Sequence, residues 1–150
     1  MQNITFKKIT DTEAEIFEYI EIEKTAVEKY TYSGIIDFEE AKKQIQKNEC
    51  FNIYKDSVLV GHTEYILKSN EHGHIDGLVI LPEFQGQGIA REAALFRIEK
   101  MKDLKRIDLV THPHNSKIIC LYLSLGFHIE SWKENYWGDG EPRLVIAKIT

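Results

Sequence analysis

Two glycines, Gly86 and Gly88, separate an apolar run from a helical pattern. The run predicts a strand that stops at Pro82, and the apolar spacing after Gly88 predicts a helix. The first N–H groups of a helix lack partners and, with the positive end of the helix dipole, attract anions. Glycine carries no Cβ, so a phosphate can approach closely. The segment therefore predicts a phosphate-binding loop, to which Gln85 adds a hydrogen-bonding side chain; an ordinary glycine turn is the alternative.

Two other kinds of phosphate loop do not fit this segment. A Walker loop requires Lys followed by Ser or Thr after its last glycine, and neither residue follows Gly88. A dinucleotide-binding loop requires Gly or Ala where this chain has Arg91, and it opens a βαβ unit. The strands before Gly86 instead predict an antiparallel meander.

A second pair of chemically capable residues is Asn115 and Tyr122, seven residues apart. Seven residues are two helical turns, so both side chains project from one face of a predicted helix. Gly126 is expected to end that helix in a left-handed conformation. Considered one at a time, Asn115 could be only an N-cap and Tyr122 only a core residue. Their spacing instead favours one site that contains both side chains.

The elements that must position these residues follow a mixed order. The predicted strands are Ile4–Ile9, Phe51–Tyr54, Ser57–Leu67, His74–Leu81, Arg106–Thr111, Phe127–Trp132 and Leu144–Ile149. The predicted helices are one capped by Asp11 and ending near Lys29, Phe38–Lys47 capped by Asp37, one beginning after Gly88, and Asn115–Leu125. This order predicts a single α+β domain, residues 1–150, with helices packed on one sheet.

The pattern Gln85-x-x-Gly88-x-Ala90, with Leu78 to Pro82 before it, resembles the acetyl-CoA loop of the GNAT family of N-acetyltransferases. Asn115, Tyr122 and Gly126-Phe127 resemble the second cofactor segment of that family. The resemblance implies the order β-α-α-β-β-β-α-β-α-β-β. It also implies a twisted, mostly antiparallel sheet of about seven strands flanked by four helices.

The resemblance also implies roles for individual residues. The strand residues Leu78, Val79 and Ile80 would pair with the pantetheine arm of acetyl-CoA as an added strand would. Asn115 would hydrogen-bond the pantetheine, and Tyr122 would protonate the departing thiolate. Lys117 and Arg91 are local candidates for the 3′-phosphate. Next to Gln85, the pyrophosphate would be held by the backbone N–H groups of Gly86, Gln87, Gly88, Ile89, Ala90 and Arg91.

Acetyl transfer to an amine also requires a general base, because most alkylamines are protonated near neutral pH. Family members often carry a carboxylate on the fourth strand or on the strand before Asn115. Val110 occupies the second location here, so the first, with His74, supplies the candidate base. Glu64 on the preceding strand is the alternative, and His74 could also be a surface residue at a hairpin end.

The acceptor site is expected among residues of the first helices and the loop between the last strands. Glu23 lies on the apolar face of the first helix, where it would meet an amine or pair with Lys24 or Lys29. Trp132 and Tyr136, with Trp137, would wall a pocket or form a contact between two copies of the chain.

His72 with His74, and His112 with His114, raise the possibility of a metal site, because a His-x-His pair places two imidazoles on one strand face. Both pairs stand at predicted strand ends, where loop histidines are common, and acetyl transfer requires no metal. We therefore expect no metal cofactor.

Composition narrows the function classes further. The net charge of −5 argues against nucleic-acid binding, and no apolar run approaches the length of a membrane span. The first residues lack a signal-peptide core, which predicts a cytoplasmic protein. The sequence thus predicts an acetyl-CoA-dependent N-acetyltransferase acting on a small primary amine by direct attack. The alternatives are an acetyltransferase for protein N-termini or lysines and a CoA-binding sensor without turnover.

Overall fold

The computed structural model describes residues 3–28 and 32–150. Its strands are β1 (Ile4–Lys8), β2 (Glu49–Lys55), β3 (Val58–Leu67), β4 (His72–Ile80), β5 (Arg106–Thr111), β6 (His128–Lys133) and β7 (Arg143–Ile149). Its helices are α1 (Glu13–Lys24), α2 (Phe38–Lys47), α3 (Ile89–Lys100) and α4 (Ser116–Ser124). The predicted order of elements is therefore confirmed.

The seven strands form one sheet in the order β1-β2-β3-β4-β5-β7-β6. Neighbouring strands are antiparallel except β4 and β5, which are parallel. The parallel pair joins the antiparallel meander of the first half to the closing strands of the second half. The expected α+β class and the mostly antiparallel sheet are thus confirmed.

Helices cover both faces of the sheet because neighbouring strand residues point to opposite sides. On β2, Cys50 packs in a cluster with Ile16 and Ala41 of α1 and α2, whereas Phe51 packs against the cluster that holds Ala94 and Tyr122 of α3 and α4. The first two helices and the last two therefore lie on opposite faces.

The start of α2 follows the prediction and the start of α1 does not. The carboxylate of Asp37 accepts a hydrogen bond from the backbone N–H of Glu40, 3.0 Å away, which confirms it as the N-cap. Thr12, not Asp11, caps α1, by accepting from the N–H of Glu15. Asp11 instead accepts from the side-chain amide of Gln46 at 2.9 Å.

The end of α1 also differs from its predicted position. The helix stops at Lys24, where the hydroxyl of Thr25 donates to the carbonyl of Ile22 over 2.7 Å. Lys29, the predicted end, lies outside the described residues. Gly126 has a φ of +91°, and the N–H of Phe127 bonds the carbonyl of Tyr122, which confirms the left-handed end of α4.

Candidate active site

The site begins where β4 and β5 separate. The two strands pair only over His72–His74 and Arg106–Asp108, and within the described ranges no strand pairs with this edge of β4 beyond that point. The register between β3 and β4 also shifts at Glu64, because Asp76 and Gly77 form a bulge opposite it. The bulge and the missing pairing open a groove along Gly77–Ile80.

A cavity of about 420 Å³ lies at the glycine loop. Gly86 and Gly88 have φ values of +78° and +81°, a conformation that side chains with a Cβ rarely adopt. A Cβ added at Gly86 would meet no atom within 4 Å, so the space above this backbone is open. The cavity is lined by Leu78, Ile80, Phe84, Gln85, Gly86, Gly88, Ile89, Ala90, Asn115, Lys117 and Ile118. This composition suits an anion at the start of α3.

Four predicted cofactor residues are absent from the lining of this cavity: Val79, Gln87, Arg91 and Tyr122. The Val79 side chain is buried in the protein. The side-chain carbonyl of Gln87 accepts a hydrogen bond from Lys55. The guanidinium of Arg91 donates to the hydroxyl of Ser124 at 3.4 Å. Lys117, by contrast, contributes a cation to the lining.

A second cavity of about 1010 Å³ adjoins the first and shares Leu78, Asn115 and Ile118 with it. Asn115 and Tyr122 both line this larger cavity, as their spacing predicts. The amide of Asn115 donates to the hydroxyl of Thr111 at 3.2 Å and makes no capping bond to α4. Asn115 thus stands at the N-cap position of α4, where its backbone carbonyl accepts the N–H of Ile119, but its side chain does not cap the helix.

Tyr122 is 1% exposed, and its hydroxyl oxygen accepts a hydrogen bond from Arg97 at 2.6 Å. Burial raises the pKa of the Tyr122 phenol, and the charge and hydrogen bond of Arg97 lower it in part. The phenol is therefore protonated at neutral pH, as a general acid must be.

The two candidate bases lie outside both cavity walls. His74 stands at the paired end of β4, where its Nδ1 lies 2.7 Å from a carboxylate oxygen of Asp108. Burial alone would raise the pKa of Asp108, but hydrogen bonds from His74 and Arg106 lower it to about 2. The His74 ring is thus held against a carboxylate on β5, away from the groove.

Glu64 is buried behind the bulge. Its carboxylate accepts hydrogen bonds from Tyr19 at 3.2 Å, Gln44 at 3.0 Å and Cys50 at 2.7 Å. Burial raises the pKa of Glu64, and the neighbouring charge of Asp76 raises it further. The same side-chain nitrogen of Gln44 also donates to Asp76 at 3.0 Å, and Asp76 lines the larger cavity.

The predicted acceptor residues are placed unevenly. Glu23 is fully buried and outside both linings, bonded to His62 at 2.5 Å, to the Ile35 N–H and to the Tyr32 hydroxyl. Lys24, its suggested partner, pairs with Glu21 instead. Glu23 therefore fastens the segment after α1, whose residues Tyr32 and Ile35 line the larger cavity.

Of the three large rings at the end of β6 and in the loop between β6 and β7, one lines the larger cavity. Trp137 lines the larger cavity, whereas Tyr136 packs edge-on against Trp137 and lies outside the lining. Trp132 is half-exposed and donates to Glu134. Whether these rings also form a contact between two copies stays a prediction.

Three lining residues have roles that were not predicted from the sequence. Arg97 occupies a buried position of α3. In the sequence, a charged residue at a position that the helical spacing assigns to the apolar face could have indicated this role. Asp76 precedes Gly77 in a strand, a pattern that indicates a bulge. His112 is buried, accepts the N–H of His114 at Nδ1 and lies 2.9 Å from Glu141 at Nε2. It thereby joins the loop before α4 to the loop before β7.

The described residues were also searched for metal-ligand groups and for membrane-spanning helices. No group of three or more His, Cys, Asp or Glu side chains among them is arranged to hold a metal ion. None of the helices formed by these residues is long and apolar enough to cross a membrane.

Comparison with known proteins agrees with this geometry. A model of the acetyltransferase (GNAT) family matches residues 12–127. The uncharacterized N-acetyltransferase YnaD of Bacillus subtilis (strain 168) is 28% identical over 159 residues, which cover 91% of this chain and 92% of YnaD.

Solved structures share the fold over the whole chain. A GNAT family acetyltransferase from Elizabethkingia anophelis with acetyl-CoA bound aligns with a TM-score of 0.77 and 17% identity, covering 99% of each chain. A Bacillus subtilis acetyltransferase in complex with CoA aligns with a TM-score of 0.74 and 14% identity, covering 100% of this chain and 99% of the other. The fold and the family match define an acyl-CoA-dependent acetyltransferase. This chain belongs to the acetyltransferase (GNAT) family.

Proposed function

We propose that the chain, acting as one domain, transfers the acetyl group of acetyl-CoA to a primary amine of a small molecule by direct attack in a ternary complex. The observation that carries the proposal is the meeting of the two cavities at Leu78, Asn115 and Ile118, with Tyr122 in the lining of the larger one. One cavity suits a cosubstrate with phosphate groups and the other a second substrate, and the thioester would lie at their junction.

The smaller cavity supports acetyl-CoA as the cosubstrate. The pyrophosphate would lie over Gly86 and Gly88 at the start of α3, with Lys117 as a nearby cation. The pantetheine arm would follow the open edge of β4 past Leu78 and Ile80. Two acetyltransferases of the same fold were solved with acetyl-CoA or CoA bound, which supports acetyl-CoA as the cosubstrate.

The charge of the larger cavity supports an amine acceptor. Among the described residues, four acidic side chains line it: Glu28, Glu40, Asp76 and Asp139. Two arginines, Arg97 and Arg143, line it as well, and Arg143 pairs with Asp139 at 2.8 Å. The described lining therefore carries more acidic than basic side chains, which favours an ammonium group over an anion.

The chemistry then follows from the positions of the groups. The arriving ammonium gives a proton to Asp76, and the neutral amine then attacks the thioester carbonyl. The carbon–sulfur bond breaks with its electron pair on sulfur, the sulfur takes the proton of the Tyr122 hydroxyl, and the nitrogen of the new amide releases its surplus proton to solvent. Asp76 is the carboxylate at which the ammonium would arrive, since it lines the cavity whereas Glu64 lies behind it. Gln44 joins the two carboxylates, so Glu64 remains a candidate second proton acceptor, and His74 a more distant one. Cys120 lies outside both linings and carries no acyl group in this scheme.

The acceptor class is testable with a panel of monoamines, diamines, amino acids and short peptides, measured as acetylated product by mass spectrometry. We expect small primary amines to react and acidic acceptors to be excluded. Asp76→Asn should raise KM for the amine at least about tenfold, the scale of a lost charged hydrogen bond. Asp103→Asn, an exposed surface change, is the matched control. Reaction of peptides alone would move the assignment to a protein acetyltransferase, and binding of CoA without any product to a sensor.

A further inference from the structure

Arg97 is an arginine in the interior of the protein. It lies on α3, is 1% exposed, and is among the largest fully buried side chains of the described residues. Arginine is seldom buried without a specific set of partners, because removing its charge from water is costly. Its guanidinium donates to the Tyr122 hydroxyl and to the backbone carbonyls of Glu64, Asp76 and Gly77, at 2.6, 3.2, 3.0 and 3.3 Å.

The direction of the hydrogen bond to Tyr122 matters. A guanidinium has only donors, so the phenol oxygen must be the acceptor. The proton of the Tyr122 hydroxyl is therefore not used in this contact and remains available to another acceptor. The three carbonyls lie at the bulge between β3 and β4, just beyond the point where the pairing of β4 with β5 ends, so one side chain contacts both Tyr122 and this part of the sheet.

We propose that Arg97 is a positioning residue for acetyl transfer: it fixes the Tyr122 oxygen in the wall of the larger cavity and stabilises the phenolate formed when Tyr122 gives its proton to CoA. This inference rests on the proposed function, in which Tyr122 is the acid. When the carbon–sulfur bond breaks, its electron pair goes to sulfur, the Tyr122 O–H bond breaks, and a sulfur–hydrogen bond forms. The phenolate then faces the Arg97 cation until it recovers a proton from solvent.

The test is a double-mutant cycle on the complete chain, with Arg97→Lys and Arg97→Gln, each made in the wild-type and the Tyr122→Phe backgrounds. With Tyr122 present, each change should lower kcat about 10- to 100-fold, the scale of one charge-assisted hydrogen bond, while KM for acetyl-CoA stays within about twofold. In the Tyr122→Phe background, the same changes should alter kcat less than about threefold, because their route of action is gone. Lys100→Gln on the exposed side of α3 is the control and should leave kcat unchanged.

The pH profile supplies a readout that a merely structural role would not move. Arg97 lowers the pKa of the phenol, and kcat falls once the acid is deprotonated, so Arg97→Gln should move the alkaline limb to higher pH. Equal losses of kcat in both backgrounds, with an unmoved alkaline limb, would overturn the inference and leave the proposed function intact. Absence of acetyl transfer by the wild-type enzyme would overturn both.

A crystal structure of the wild-type protein with CoA tests the same claim if the Arg97 variants do not fold. The Tyr122 oxygen should lie within hydrogen-bond distance of both the CoA sulfur and the Arg97 guanidinium. An Arg97 side chain turned away from Tyr122 in that complex would contradict the inference.

Discussion

The Tyr122 hydroxyl has two partners in the proposed reaction, and its removal should affect both. Tyr122→Phe should lower kcat about 10²-fold, the scale of general acid catalysis, and leave acetyl-CoA affinity nearly intact. It should also cost about 1–3 kcal/mol of unfolding free energy, because the buried Arg97 loses an acceptor. Steady-state kinetics and thermal melting on one preparation measure the two effects separately.

The matched control is Tyr54→Phe, which removes a hydroxyl from β2 outside both cavities. It should leave kcat unchanged. A Tyr122→Phe enzyme with a lower melting temperature but normal kcat would assign Tyr122 to the core alone.

The open space above Gly86 allows a direct test of whether this loop binds the pyrophosphate of CoA. Gly86→Ala and Gly86→Glu impose the same backbone strain, because both place a Cβ at a φ of +78°. Only the glutamate adds a negative charge where the pyrophosphate should lie. Calorimetry with CoA should therefore find a far larger loss of affinity for Gly86→Glu than for Gly86→Ala. Equal affinities in the two folded variants would remove the loop from the CoA site.

The junction of β4 and β5 is fastened by charged side chains at its paired end. Asp108 accepts from His72, His74 and Arg106, at 2.9, 2.7 and 2.9 Å. Its pKa of about 2, below the usual 3.8, means that the folded state stabilises the carboxylate. Asp108→Asn should therefore cost about 2 kcal/mol at neutral pH.

The pH dependence of that loss has a definite sign. The contribution is complete above the unfolded-state pKa near 3.8 and disappears as the pH falls toward about 2. Urea midpoints of wild type and Asp108→Asn should thus differ at pH 7 and approach each other below pH 4. A difference that stays constant across this range would show that the carboxylate charge is not what fastens the strands.

The elements also explain which parts of the site were predictable. The glycine loop and the pair Asn115 and Tyr122 are short-range patterns. Their spacing along the chain is therefore enough to predict a loop at the start of α3 and a common site for the pair. The contacts of Glu64 with Tyr19 and of Arg97 with Tyr122 join residues 45 and 25 positions apart. Both contacts join different elements of the fold, and no short-range pattern in the sequence specifies which elements pack together. The contacts of His74 with Asp108 and of Glu23 with His62 are also long-range, so the sequence did not predict them.

The two cavities along the groove differ in the charge of the residues around them. Lys117 lies in the smaller cavity, and Lys55 bonds Gln87 of the same loop, whereas the described lining of the larger cavity has more acidic than basic side chains. A phosphate-bearing cosubstrate and an ammonium acceptor would therefore enter from different sides. In the proposed reaction both substrates occupy the adjoining cavities together, so no acyl-enzyme intermediate would form.

Initial-rate kinetics with acetyl-CoA and a reactive primary amine, each varied at several fixed concentrations of the other, test this claim most directly. Direct attack in a ternary complex predicts double-reciprocal lines that intersect. Parallel lines, the mark of an acyl-enzyme formed before the amine binds, would contradict it.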